Sequence, residues 1–203
     1  LNIAIRSLAG KGDQVVVSGY EHNSVTRVLN HIGADWTAAE SPLFDSGSAV
    51  MEFRKNLDGA RLVVCNHVSN VFGYILPIEE ISKLCREAGI PLIIDASQSA
   101  GVLDIDFEAL GADYIAMPGH KGLFGPQGTG ILLCKNSAEP IMYGGTGSAS
   151  ADIYMPDFLP DRLEAGTHNV PGIAGLEAGI QYVLENGAEN IRNHEHKLCA
   201  LMA

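Results

Sequence analysis

The sequence predicts an α/β domain built on a mainly parallel sheet sandwiched by helices. Three observations carry this. The runs RLVVCN, PLIID and DYIAM are short and continuously apolar, as expected of strands buried on both faces. Helical patterns separate them, so strand and helix alternate along the chain. Gly, Pro and Asp mark the joints between the periodic segments.

Taken in order, Asn2 to Leu8 reads as a helix, and GDQVVVSG as a turn followed by a strand. Ser24 to His31 is amphipathic, with Val25, Val28, Leu29 and Ile32 on one face. A short extended piece surrounds Trp36, and Ser48 to Asn56 reads as a helix ending near Asp58-Gly59. After RLVVCN, Pro77 opens the helix PIEEISKLCREAG. Its early acids, late Arg and terminal Gly complement a helix dipole and a left-handed cap. PLIID, DYIAM and TGILLC follow as strands, the last leading into a polar turn. Pro171 to Leu184 and Ala188 to Leu201 read as helices. The segment from Tyr143 to Thr167 is longer than most connections and is either functional or a hinge. We divide the chain there, into a ligand-binding domain at 1–170 and helices at 171–203 that lead onward.

The 203 residues are 46% apolar, enough to bury one large core. A formal net charge of -11 disfavours nucleic acid and anionic membrane surfaces, both of which need clustered Lys and Arg. No apolar run reaches the roughly 20 residues that span a bilayer. The four cysteines are scattered without a CxxC pair, which points to reduced thiols in a cytoplasm and to no metal centre. The chain does not begin with Met, and it starts and stops inside helical patterns. We therefore expect it to be a piece of a longer protein.

Ligands of an open parallel sheet bind beyond the carboxyl ends of its strands. That rule selects three clusters: Asn66 with Ser69 and Asn70, Asp95 with Ser97, Gln98 and Ser99, and Gly119-His120-Lys121-Gly122. Asp95 is equally a good helix cap on position alone. Lys121 in isolation reads as a surface lysine, but enclosure at a strand end would make its amine a nucleophile. His22, after VVVSGYE, is by itself a helix-cap neighbour. Phosphate-loop, dinucleotide-fingerprint, HExxH and GxSxG patterns are all missing.

EHNSV at 21–25, HVSNVFG at 67–73, DASQSAG at 95–101, GHKGLFGPQGTG at 119–130, GGTGS at 144–148 and LPDRLEAGTHNVPGIAGLEAG at 159–179 recur in one order. Together they resemble the class V aminotransferase family, and within it the enzymes similar to cysteine desulfurases. The resemblance implies the large domain of the fold-type I pyridoxal-phosphate-dependent transferases. It also implies roles at matched positions. Lys121 looks like the lysine that forms the cofactor Schiff base. Asp95 resembles the acid paired with the pyridine nitrogen, and Gln98 the amide on the phenolic oxygen. His22 resembles the imidazole stacked on the ring and the second catalytic residue, and His120 a phosphate contact. Asn70 resembles the asparagine near the substrate carboxylate. Thr167 resembles a threonine that reaches the phosphate in the neighbouring subunit of a homodimer.

The implied activity removes sulfur from L-cysteine to give alanine and an enzyme persulfide, for a sulfur-acceptor protein. A transaminase, a selenocysteine lyase or an inactive dimerising core remain alternatives. Pro118 stands where family members often have Ser or Thr, and His168 where many have proline. None of Cys65, Cys85, Cys134 and Cys199 matches the persulfide-forming cysteine.

Overall fold

The computed structural model describes residues 1–136 and 138–202. Its centre is a six-stranded sheet of β1 (Gln14–Ser18), β2 (Asp35–Ala39), β3 (Leu62–Asn66), β4 (Leu92–Asp95), β5 (Tyr114–Pro118) and β6 (Gly130–Cys134). The order across the sheet is β2-β1-β3-β4-β5-β6. Every pairing is parallel except β5 with β6. The sequence marked β6 as a strand but not its direction. A parallel return needs a long crossover. The connection from Gly119 to Thr129 contains no helix, so β6 runs back alongside β5.

Helices cover both faces: α1 (Asn2–Leu8), α2 (Asn23–Ile32), α3 (Ser46–Asn56), α4 (Ile78–Ala88), the single turn α5 (Phe107–Leu110), α6 (Val170–Asn186) and α7 (Ala188–Met202). The caps explain the boundaries. Asp45 accepts from Ser48 N at 2.9 Å, so α3 begins two residues before the expected Ser48. Gly33 and Gly89 close α2 and α4 in the left-handed conformation. Only four residues long, α5 is too short for a periodicity to show in sequence.

Strands β3 and β4 are buried along their whole length, as their apolar runs require. One core, with Phe53, Val63, Ile81 and Ile94, lies under α3 and α4. The other, with Ile5, Val17, Leu29 and Tyr114, lies under α1 and α2. Leu176 of α6 joins the first core, whereas α7 has no buried residue. The polar turn after β6 falls partly on residue 137, outside the described residues.

Candidate active site

The strand order puts the crevice where the rule for open sheets requires it. From β1 the chain steps outward to β2, then crosses to β3 on the other side and continues to β4 and β5. The reversal leaves an opening at the carboxyl ends of β1 and β3. Ser18, Asn66, Asp95 and Pro118 end four neighbouring strands there.

Asp95 is 4% exposed and stands in register with Asn66 on one side and Ala116 on the other. Its Oδ1 accepts from Ser97 N at 2.9 Å, and its backbone oxygen accepts from His67 N at 2.9 Å. Its Oδ2 takes no hydrogen bond among the described residues, and the Leu1 ammonium feels the carboxylate's charge, so this oxygen is open to a cation. Gln98 is half-buried in the turn that follows.

Lys121 and His120 occupy the turn after β5 and are exposed. The enclosure that would activate the Lys121 amine is therefore not supplied by these residues alone. No ion pair among the described residues engages that amine. The turn is pressed against the Gln98 turn, backbone to backbone. A methyl group on Gly122 would sit 2.3 Å from the Ala100 carbonyl oxygen.

His22 caps α2: its Nδ1 accepts from Ser24 N at 3.1 Å. That contact uses one ring nitrogen and fixes the ring's position on the β1 side of the crevice. Asn70 is exposed on the loop after β3, where Ser69 Oγ accepts from Phe72 N at 3.4 Å. Thr167 is exposed in the segment before α6, and no hydrogen bond among the described residues joins it to the strand-end groups. The chain therefore gathers Asp95, Gln98, His120, Lys121 and His22 on the carboxyl side of the sheet, with Asn70 on the adjacent loop, and leaves Thr167 apart.

Three groups that the sequence did not single out lie beneath this edge. Ser18 Oγ is 2.6 Å from both Glu21 Oε1 and Asn66 Oδ1. Burial pushes the Glu21 carboxyl up to about 8, with a smaller push from Asp95. His67 is 4% exposed, its Nδ1 is buried without a partner, and burial lowers it to about 4. The one available signal was position, since Glu21 precedes His22 and His67 follows Asn66 at strand ends.

The cysteines are held as thiols where burial decides. Cys65 is pushed well up, and Cys85 up to about 12, both by burial. A cleft of about 570 Å³ runs beside the crevice, bordered by Ser24, Ser97, Pro118 and Ile131.

A parallel sheet with a buried carboxylate, an amide, imidazoles and a strand-end amine along one edge defines an α/β cofactor-binding domain. The particular family follows from comparison. The model of the family described as "Aminotransferase class-V" matches residues 1–203, and the chain belongs to that family. It is 35% identical over 207 residues to a probable cysteine desulfurase of Pyrococcus abyssi, covering 97% of this chain and 51% of the relative. It is 34% identical over 200 residues to a cysteine desulfurase of Synechococcus elongatus, covering 93% of this chain and 32% of the relative. Among solved structures, a cysteine desulfurase of Thermococcus onnurineus NA1 superposes with a TM-score of 0.82 at 33% identity, covering 98% of this chain and 53% of that one. The fold is thus the large-domain fold of the fold-type I pyridoxal-phosphate enzymes, and the chain spans about half the length of the first relatives it matches.

The site fits such a cofactor. Asp95 Oδ2 takes no hydrogen bond among the described residues and suits a protonated ring nitrogen. Lys121 on the adjacent strand end suits its aldehyde carbon.

Proposed function

We propose that this chain is the cofactor-holding part of a pyridoxal-phosphate-dependent cysteine desulfurase, which removes sulfur from L-cysteine and releases alanine. The observation that carries the reading is the buried Asp95, with one oxygen uncommitted, on the strand beside the one that delivers Lys121. The similarity to cysteine desulfurases supports the choice of substrate.

When bound, the cofactor supplies an electron sink for the substrate α-carbon. Asp95 holds a proton on the ring nitrogen, which keeps that sink effective. Lys121 would attach the cofactor, and its amine, when free, would carry a proton beside the substrate α-carbon. With the cofactor bound, His22 would hold the ring face, Gln98 the phenolic oxygen and His120 the phosphate, while Asn70 would orient the substrate carboxylate. The carbon–sulfur bond of cysteine breaks, and the sulfur passes to a cysteine thiolate as a persulfide. We place that thiolate outside residues 1–203, since none of the four cysteines matches the persulfide-forming cysteine of the family, and burial raises Cys65, Cys85 and Cys134. Thr167, which lies apart from the other groups, would hold the phosphate of the neighbouring subunit in a homodimer. We further place the division between large domain and onward helices at residue 170, and the protein in the cytoplasm, with a sulfur-acceptor protein as partner. Among the described residues no helix is long and apolar enough to cross a membrane.

The test is to incubate the full-length protein with L-cysteine and a thiol reductant, which is oxidised to its disulfide as it cleaves the persulfide to sulfide, and to assay alanine and sulfide. Stoichiometric release of both supports the reading. Transfer of the amino group to a keto acid without sulfide would instead make it a transaminase, and preference for selenocysteine a selenocysteine lyase.

A further inference from the structure

The polar cluster under the β1–α2 turn does not balance in hydrogens if every group has its ordinary charge. Asn66 Nδ2 donates to the Tyr20 carbonyl oxygen at 2.9 Å. A carbonyl cannot donate in return, so this bond sets the amide orientation and leaves Asn66 Oδ1 facing Ser18. Ser18 Oγ then stands 2.6 Å from Asn66 Oδ1 and 2.6 Å from Glu21 Oε1. Two short oxygen–oxygen contacts need two hydrogens. The Ser18 hydroxyl has one, and an amide oxygen has none. Two backbone groups also donate into the cluster: Tyr20 N to Ser18 Oγ at 3.2 Å, and Asn66 N to Glu21 Oε1 at 2.7 Å. Neither supplies a hydrogen between the oxygens.

We infer that Glu21 is a neutral carboxylic acid at neutral pH. It donates from Oε1 to Ser18 and so locks the turn that carries His22 onto the end of β3. Ser18 then donates to Asn66 and accepts from Glu21 and Tyr20, which uses its full capacity of one donor and two lone pairs.

A second observation agrees. Glu21 Oε2 is buried without a partner. As part of a carboxylate it would be a buried charge with no hydrogen bond, which is far costlier than the carbonyl oxygen of a neutral acid. Among the described residues no cation pairs with Glu21. The charged group that bears on it is Asp95 at the end of β4, which acts against its ionisation, while burial keeps Cys65 on β3 an uncharged thiol. His22 follows it in sequence and is turned away into the α2 cap. A neutral Glu21 therefore anchors the crevice without adding a second negative charge beside Asp95. That His22 is a cofactor contact rests on the function proposed above, whereas the protonation state of Glu21 does not.

The experiment is a carbon-13 NMR titration of the intact protein labelled at glutamate side-chain carboxyls, first without cofactor. The Glu21 resonance is assigned by its loss in Glu21→Gln. If that variant does not fold, through-bond correlation in the unaltered protein assigns it instead. We expect a protonated shift at pH 7 and a midpoint near 8. We also expect the His22 ring resonances to move with the same midpoint, and that movement to vanish in Glu21→Gln. A midpoint in the ordinary carboxylate range would overturn the neutral acid. A Glu21 that titrates near 8 while His22 stays blind to it would overturn the positioning role. Neither result depends on whether cysteine is the substrate, so failure here is distinguishable from failure of the proposed reaction.

Discussion

Gly101 lies against Gly122 so closely that a methyl group on Gly101 would stand 2.0 Å from the Gly122 carbonyl oxygen. Gly101 also has φ +84, in the left-handed region. The turn after β4 and the turn after β5 are thereby held in backbone contact, and this contact sets where Lys121 projects relative to Gln98. Gly101→Ala must push the two turns apart, because the atom it meets is backbone and has no rotamer to yield. We expect a loss of about 2–4 kcal/mol of stability from overpacking and strained φ together. Chemical denaturation measures it, and a wild-type midpoint would show that the turns separate without cost.

Lys121→Ala in the full-length protein should abolish turnover. It should also remove the cofactor adduct that borohydride reduction fixes in the unaltered protein. Peptide mass mapping locates the adduct. Multiple turnover by the variant, or an adduct on another lysine, contradicts the assignment.

Asp95→Asn should weaken cofactor retention while leaving the fold intact, because the amide keeps an acceptor for Ser97 N. Loss of a charge-assisted hydrogen bond is worth about 1.5–3 kcal/mol, or roughly 10- to 150-fold in Kd. The visible absorption of pyridoxal phosphate titrated into the cofactor-free protein reads this directly.

His67 should make the domain sensitive to acid. Its folded-state value lies near 4, below the ordinary imidazole value of 6.5, so the unfolded chain binds more protons between these limits. The stability from a neutral, buried His67 is complete above pH 6.5 and drains away as pH falls toward 4. The loss amounts to up to about 3 kcal/mol. His67→Gln should flatten that part of the stability–pH curve, and an unchanged slope would show that another group controls it.

Glu21 acts in the opposite direction. Its folded-state value near 8 exceeds the ordinary carboxyl value of 4.5, so the folded chain binds the extra proton. Its contribution is complete below pH 4.5 and is lost as pH rises through 8. Glu21→Gln, which cannot ionise, should remove this decline in denaturation experiments across that range.

Much of the architecture was legible because it depends on local periodicity. The apolar runs at β3, β4 and β5 are buried as their composition requires, and the capping residues of α2 and α4 fall where helices of that amphipathicity must end. The strand-end rule also selected Asp95 and Lys121 before any contact was known, because ligand position in an open sheet follows from topology. Direction and proton inventory were not legible. Nothing local distinguishes an antiparallel β6, since the choice depends on where the chain after Lys121 finds an open edge.

The sequence by itself determined the class of domain, the segments that form its buried strands and the set of polar groups at their carboxyl ends. Only the tertiary structure decided that Ser18, Glu21 and Asn66 share too few hydrogens for a charged Glu21, and that His67 Nδ1 is sealed without a partner among the described residues. It also decided that Lys121 stays exposed. The physical reason is that charge state and enclosure depend on atoms from strands far apart in sequence. Ser18 and Asn66 are separated by 48 residues and meet only because β1 and β3 pair.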